Sequence, residues 1–239
     1  MTNPTMTWAA MAALAGAAAA AAAAAADPRP AVVELFTSQG CNSCPPADAL
    51  LGELVARRDV LALAYHVDYW DQLGWRDRFG LPQSVQRQSQ YARRLGLASV
   101  YTPQLLIDGR VDVLGSDRSR VLKLLDTPRS GAPLIARLQG HELVVEAGAV
   151  AGAAPCDVLV VSYLPEATTP IGRGENSGRT LREFNIVRSI GTLGTWRATP
   201  AAWRVELNSF PAASSFVAVL LQEQATGAIV GATTLPLPR

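Results

Sequence analysis

The chain has 239 residues, 49% of them hydrophobic, and 21 Lys and Arg against 20 Asp and Glu give a formal net charge of +1. That is enough apolar material for one or two domains with their own cores. The near-neutral balance, with no long basic run and no basic residues interleaved with aromatics, argues against nucleic acid as a partner.

In chain order, the first feature is a stretch from Trp8 to Ala26 that is almost all Ala and closes on Ala24-Ala25-Ala26 before Asp27-Pro28-Arg29-Pro30. Small residues ahead of a polar, Pro-containing stretch predict a secretory signal peptide over residues 1–26, and hence a periplasmic or secreted mature chain. Met1 to Thr7 supply no Lys or Arg, and a retained Ala-rich helix is the alternative. Ala is a weak hydrophobe, so cleavage fits better than anchoring. No later stretch is long and apolar enough to cross a bilayer, so no lasting membrane span is expected.

Ala31 to Phe36 reads as a buried strand, followed by a turn at Thr37-Ser-Gln-Gly40. Pro45-Pro46 opens a helix that runs to Arg58. Proline suits the first helical turn, where its missing N–H costs nothing. Leu50, Leu51, Leu54 and Val55 give that helix its apolar face. Val60 to Val67 is apolar nearly throughout, as a central parallel strand covered on both faces would be. The result is a βαβ unit, with a right-handed crossover expected. An aromatic-rich loop spans Asp68 to Phe79. Then come an amphipathic helix at Pro82–Leu95 and a strand at Thr102–Asp108 entered through Pro103. A return strand at Arg110–Leu114 follows an Asp108-Gly109 turn, and a helix from Asp117 to Leu125 is capped by Ser116 or Asp117.

The composition changes at a linker, Thr127 to Pro133. Beyond it lie strand-like runs with almost no helical periodicity. The fold class expected is therefore α/β: a first domain over 27–128 with a central mixed sheet flanked by helices, followed by a smaller β-rich antiparallel domain over 129–239. That second domain would be a sandwich or a sheet packed on the first.

The chain has three cysteines, Cys41, Cys44 and Cys156, too few for a disulfide scaffold. Cys41-Asn-Ser-Cys44 follows a predicted strand and opens a predicted helix. Two thiols so spaced can close a small disulfide and act as a two-electron switch. The unsatisfied N–H groups and positive dipole end of a helix start favour the thiolate, which is the attacking species. Cys41 is thus expected to be the exposed nucleophile and Cys44 the partly buried resolving thiol. A zinc site would need two further ligands, for which only His66 and Cys156 present themselves, so no metal centre is expected. No cofactor beyond the disulfide itself is expected. Thr102-Pro103 ahead of a strand reads on its own as an ordinary trans proline; with Cys41 and Cys44 upstream it suggests a cis proline, Thr102 and Pro103 then holding the backbone of an extended substrate. His66 is a candidate proton carrier or thiolate stabiliser, the alternative being a structural hydrogen bond. Asp68, Trp70, Asp71 and Trp75 form a candidate ligand loop, the alternative for the tryptophans being interface filling. Cys156 reads as buried and inert.

These features together resemble the thioredoxin-like superfamily. More closely, Glu34 to Asp48, His66 to Asp71, Gly74-Trp75, Tyr101 to Gln104 and Asp108-Gly109 are similar to the secreted thioredoxin-like family called domain of unknown function 1223. A fainter likeness extends through Gly174 to Thr180. The resemblance implies the fold and thiol chemistry but no substrate. Gly40 stands where thioredoxins carry Trp, and Asn42-Ser43 replaces their Gly-Pro, so it implies no reduction potential. The expected function is an extracytoplasmic thiol–disulfide oxidoreductase acting on a protein or a small thiol or disulfide. The alternatives are a binding module with a structural disulfide, or a copper- or zinc-handling protein.

Overall fold

A computed structural model describes residues 27–238. The expected signal peptide lies outside the described residues. The first half contains β1 (Asp27–Pro28), β2 (Ala31–Thr37), α1 (Pro45–Val55), β3 (Val60–His66), α2 (Pro82–Leu95), β4 (Gln104–Ile107), β5 (Val111–Leu114) and α3 (Arg118–Leu125). The second contains β6 (Ser130–Gly131), β7 (Leu134–Gln139), β8 (Glu142–Ala147), β9 (Cys156–Pro170), β10 (Thr180–Trp196), β11 (Ala201–Glu206), β12 (Phe216–Glu223) and β13 (Ile229–Pro236). The molecule is mixed α/β, with a central mixed sheet of eight strands and a smaller antiparallel sheet of three.

β2 and β3 pair in parallel through α1, as the apolar runs require, and β4 and β5 follow antiparallel. All seven residues of β2 and of β3 are buried, as befits strands covered on both faces. Alternation along the strands sorts the core into two layers. Val33, Leu35, Ala62 and Ala64 face α1 and α3, while Phe36, Leu63 and Tyr65 face α2 with its Tyr91. Asp117 caps α3, accepting from the Arg120 N–H at 3.1 Å.

The second half does not fold apart. The eight strands run β13-β12-β9-β10-β3-β2-β4-β5, so β10 closes on the edge of β3 and the sheet continues across the expected boundary at 128/129. Without β10, β3 would present an unpaired apolar edge. The junction is narrow: Ile186 pairs with Ala64, and Asn185, at φ 44°, sends its side-chain amide to the Ala62 carbonyl at 2.8 Å. β9 continues the two-layer pattern, with Leu159 and Val161 facing the α2 layer. Val158 and Val160 face the small sheet β11-β8-β7, whose Leu143 and Val145 complete a third core with Trp196. That small sheet packs on β9, β12 and Trp196, all from the second half.

One buried charge pair ties the layers together. Arg87 of α2 forks onto Glu34 of β2 at 2.6 and 3.0 Å, and Tyr91 and Gln222 complete the network. Arg87→Met would leave the Glu34 carboxylate buried without a counter-charge, so a loss of about 3–5 kcal/mol is expected in urea unfolding. A loss below about 1 kcal/mol would show that Glu34 finds another partner or protonates at little cost.

Candidate functional site

The site forms where β2 gives way to α1. The turn after Thr37 is closed by the Cys41 N–H on the Ser38 carbonyl at 3.1 Å, and Cys44 is the N-cap of α1, with Pro45 and Pro46 in the first turn. The Cys44 carbonyl accepts from Ala47 and Asp48 N–H groups at 2.8 and 3.1 Å. Cys41 and Cys44 are joined in a disulfide. The Thr102–Pro103 peptide is cis and lies alongside. The Ser43 hydroxyl is 3.4 Å from Cys41 Sγ and 3.5 Å from the Thr102 carbonyl it donates to. The Trp70 indole N–H donates to Thr102 Oγ1 at 2.9 Å. Gly40 fits closely here: a Cβ at that position would stand 3.0 Å from Trp70 Cβ, a tight approach. Cys41, Cys44, Thr102, Pro103 and Trp70 are thus brought together.

Cys41 is not the exposed thiol expected. Both cysteines have 0% exposure. The turn that carries Cys41 is held by the tip of the β9–β10 hairpin, which comes from beyond the expected domain boundary. Asn176 donates its amide to the carbonyls of Gln39 and Cys41 at 2.9 and 3.0 Å, and Glu175 Oε2 accepts from the Asn42 N–H at 3.2 Å.

Beneath this turn lies a buried cluster of titratable groups. His66, at the end of β3, holds Asp77 Oδ2 through Nδ1 at 2.7 Å. Its Nε2 has no hydrogen-bond partner among the described residues and faces Glu183 Oε1 of β10 at 3.8 Å. The Gln39 amide donates to both Glu183 oxygens at 3.0 and 2.9 Å, and Thr169 donates to the second at 3.2 Å. Asp48, one helical turn past Cys44 and on the same face of α1, accepts from Thr37 Oγ1 at 2.8 Å. Burial works against the His66 imidazolium, but Asp77 above all, then Glu183 and Asp48, outweigh it and lift its pKa to about 9. Burial also opposes the Asp77 carboxylate, yet the His66 charge and its hydrogen bond hold it below its usual range. Burial pushes Glu183 up, and pushes Asp48 up to about 7. Asp48 is the partly exposed member: it borders a groove of about 510 Å³ between α1 and β10, beside Gly52 and Phe184.

The ligand-loop residues divide. The Trp75 indole donates to Gln39 Oε1 at 3.0 Å, and Asp71 accepts from the Asp77 N–H at 3.0 Å, so both brace the cluster. Asp68 lies partly exposed beside Gly80 and joins neither disulfide nor cluster. Cys156 is free and buried at the start of β9, its thiol pushed up to about 11 by burial, in the wall of a different cavity with Arg29 and Trp196. Sequence reasoning passed over Gln39, Asp48, Asp77, Asn176 and Glu183. A carboxylate on the leucine face of α1 was the available signal for Asp48. An acid at a buried-phase position of a strand, two after Leu181, was the signal for Glu183.

A disulfide at a helix start, set over a buried acid–imidazole cluster in a mixed α/β fold, defines the class of site. The chain belongs to the family described as protein of unknown function (DUF1223), which it matches over residues 32–222. It is similar to a crystal structure of a protein from Agrobacterium tumefaciens, at 35% identity and a TM-score of 0.76, covering 88% of this chain and 96% of that one. It also shares its fold with HBP35 of Porphyromonas gingivalis, at 13% identity and a TM-score of 0.62, covering 88% of this chain and 76% of that one. No protein of curated function matches it. Among the described residues, no helix is long and apolar enough to cross a membrane.

Proposed function

We propose that the protein is a thiol–disulfide oxidoreductase on a thioredoxin-like scaffold, working outside the cytoplasm behind the leader of residues 1–26. The observation that carries this reading is the Cys41–Cys44 disulfide at the start of α1 with Thr102 beside it. In the oxidising direction, a substrate thiolate attacks Cys41 Sγ, the S–S bond breaks, and Cys44 leaves as a thiolate. A second substrate thiol then displaces Cys41 from the mixed disulfide. The substrate loses two electrons to form a disulfide, and the protein gains them as two thiols. Thr102 offers backbone groups to an extended substrate. The Cys44 thiolate takes a proton from Asp48, which burial keeps protonated up to about pH 7. His66 and Glu183 sit behind Asp48 as further proton carriers.

Cys44→Ser tests the order of steps. With Cys41 as a lone thiol and no resolving group, the variant should accumulate a mixed disulfide with oxidised glutathione or a disulfide peptide, read by intact mass. Absence of the adduct under conditions where free cysteine forms one removes Cys41 as the nucleophile.

Asp48→Asn has two expected effects. An acid whose folded pKa stands above its unfolded value of 3.8 loses stability as pH rises from about 4 to about 7. Asparagine removes that loss, so the variant should gain on wild type by on the order of 3 kcal/mol between pH 4 and pH 8. Cys44 departure should also lose its fall-off above about pH 7. An unchanged pH profile in both readouts would take Asp48 out of the mechanism.

The buried sulfurs favour one second reading, a binding module whose disulfide only stiffens the start of α1. The reduction potential separates the two.

A further inference from the structure

We propose that the tip of the β9–β10 hairpin, residues 171–179, is a closure over Cys41–Cys44, with Asn176 as its latch, and that thiols reach the disulfide only when it opens. The inference deepens the exchange reading and rests on it for the identity of the thiol.

Among residues 171–179, Ile171 at the base and Asn176 at the tip are buried; the others are partly or fully exposed. Its amide donates to the Gln39 and Cys41 carbonyls, while its oxygen accepts from Arg179 Nη1 at 3.0 Å. Glu175 takes the Asn42 N–H. The closure thereby occupies the backbone groups around Cys41 that an extended substrate would pair with. Gly174, at φ +73°, lets the tip lie against Trp75, where a Cβ would be 3.0 Å from the Trp75 Cβ.

The tip is built to move as a unit. Gly178 N–H bonds Ile171 O at 2.8 Å, Ser177 N–H bonds Gly174 O at 3.1 Å, and Arg179 N–H bonds Asn176 O at 3.1 Å. The turn therefore holds its own shape, while its named contacts to the disulfide turn are polar. Polar contacts of this kind can exchange for water, so opening need not disturb the sheet behind it.

The test is stopped-flow reduction of the oxidised protein by dithiothreitol, for wild type, Asn176→Asp and Glu175→Ala. Asn176→Asp keeps the size of the side chain and its acceptor for Arg179 but loses both donors to the carbonyls. It should be reduced about tenfold faster than wild type, and Glu175→Ala about two- to fivefold faster, by the worth of the hydrogen bonds removed. Rates within twofold of wild type in both variants would overturn the closure. A wild-type comparison holds even if a variant fails to fold. The protein should be reduced at least about tenfold more slowly than a free disulfide peptide of sequence Cys-Asn-Ser-Cys, again by the hydrogen bonds that must open first. A rate equal to that of the peptide would overturn it. Slow, latch-dependent reduction in a protein that exchanges with no disulfide keeps the closure and removes the exchange reading. Exchange with no difference among the variants does the reverse.

Discussion

Cys41→Ser is expected to reduce thiol–disulfide exchange to the uncatalysed background. The hydroxyl that replaces the thiol does not ionise near neutral pH and forms no S–S bond, so neither the attack nor the mixed disulfide remains. The stability cost should be small. The disulfide closes a loop of sequence separation 3, for which the chain-entropy account gives about 2 kcal/mol. Exchange of a peptide disulfide, followed by chromatography, reads the first effect, and urea unfolding reads the second. A variant that keeps wild-type exchange would place the chemistry elsewhere. A variant that loses about 2 kcal/mol, in a protein whose wild type never exchanged, would leave only the structural disulfide.

His66→Gln should cost about 3–5 kcal/mol of stability at pH 6, because it leaves Asp77 buried without its counter-charge. The groups facing the imidazole are Asp77 at 2.7 Å, Glu183 at 3.8 Å and, through the field, Asp48, with the Phe79 ring at 5.5 Å. A histidine whose folded pKa is raised from 6.5 to about 9 gives its full contribution below pH 6.5 and loses it as pH rises through about 9. The gap between wild type and variant should therefore narrow from pH 6 to pH 9.5, by on the order of 3 kcal/mol. Urea midpoints at the two pH values measure this. A gap that does not change with pH would mean that His66 is neutral in the folded protein and acts only as a hydrogen-bond partner.

The elements of the first half were legible because each carries a local signal. The apolar runs of β2 and β3, the paired prolines opening α1 and the Asp117 cap all rest on contacts within a few residues. The cis peptide at Thr102–Pro103 was legible only jointly with Cys41 and Cys44 upstream, since the dipeptide alone reads as trans. What lay outside the sequence was the partner of each edge. Alternation marks β10 as a strand, yet nothing in it says that Ile186 pairs with Ala64 of a parallel neighbour 122 positions earlier in the chain. The expected boundary at 128/129 therefore falls inside one continuous sheet, and the hairpin residues that meet the Cys41 turn lie beyond it. Asn176 and Glu175 read as turn residues, and they are, but the hairpin they cap is carried by β9 and β10 to the mouth of the disulfide. From its own turn alone Cys41 reads as exposed; the groups that meet that turn come from 133 and 135 positions later in the chain. His66 was legible as a candidate, its partners less so. Asp77 lies beyond a 3₁₀ turn at Asp71–Leu73, and Glu183 reaches it through the same long-range strand pairing.

The central claim stands on the reduction potential of the Cys41–Cys44 pair, measured by equilibrating purified metal-free protein in glutathione or dithiothreitol buffers and counting free thiols. The account predicts a reversible two-electron transition between about −270 and −120 mV, the range of working dithiol proteins. A pair that stays oxidised below about −300 mV would contradict it and leave a structural disulfide in a binding module.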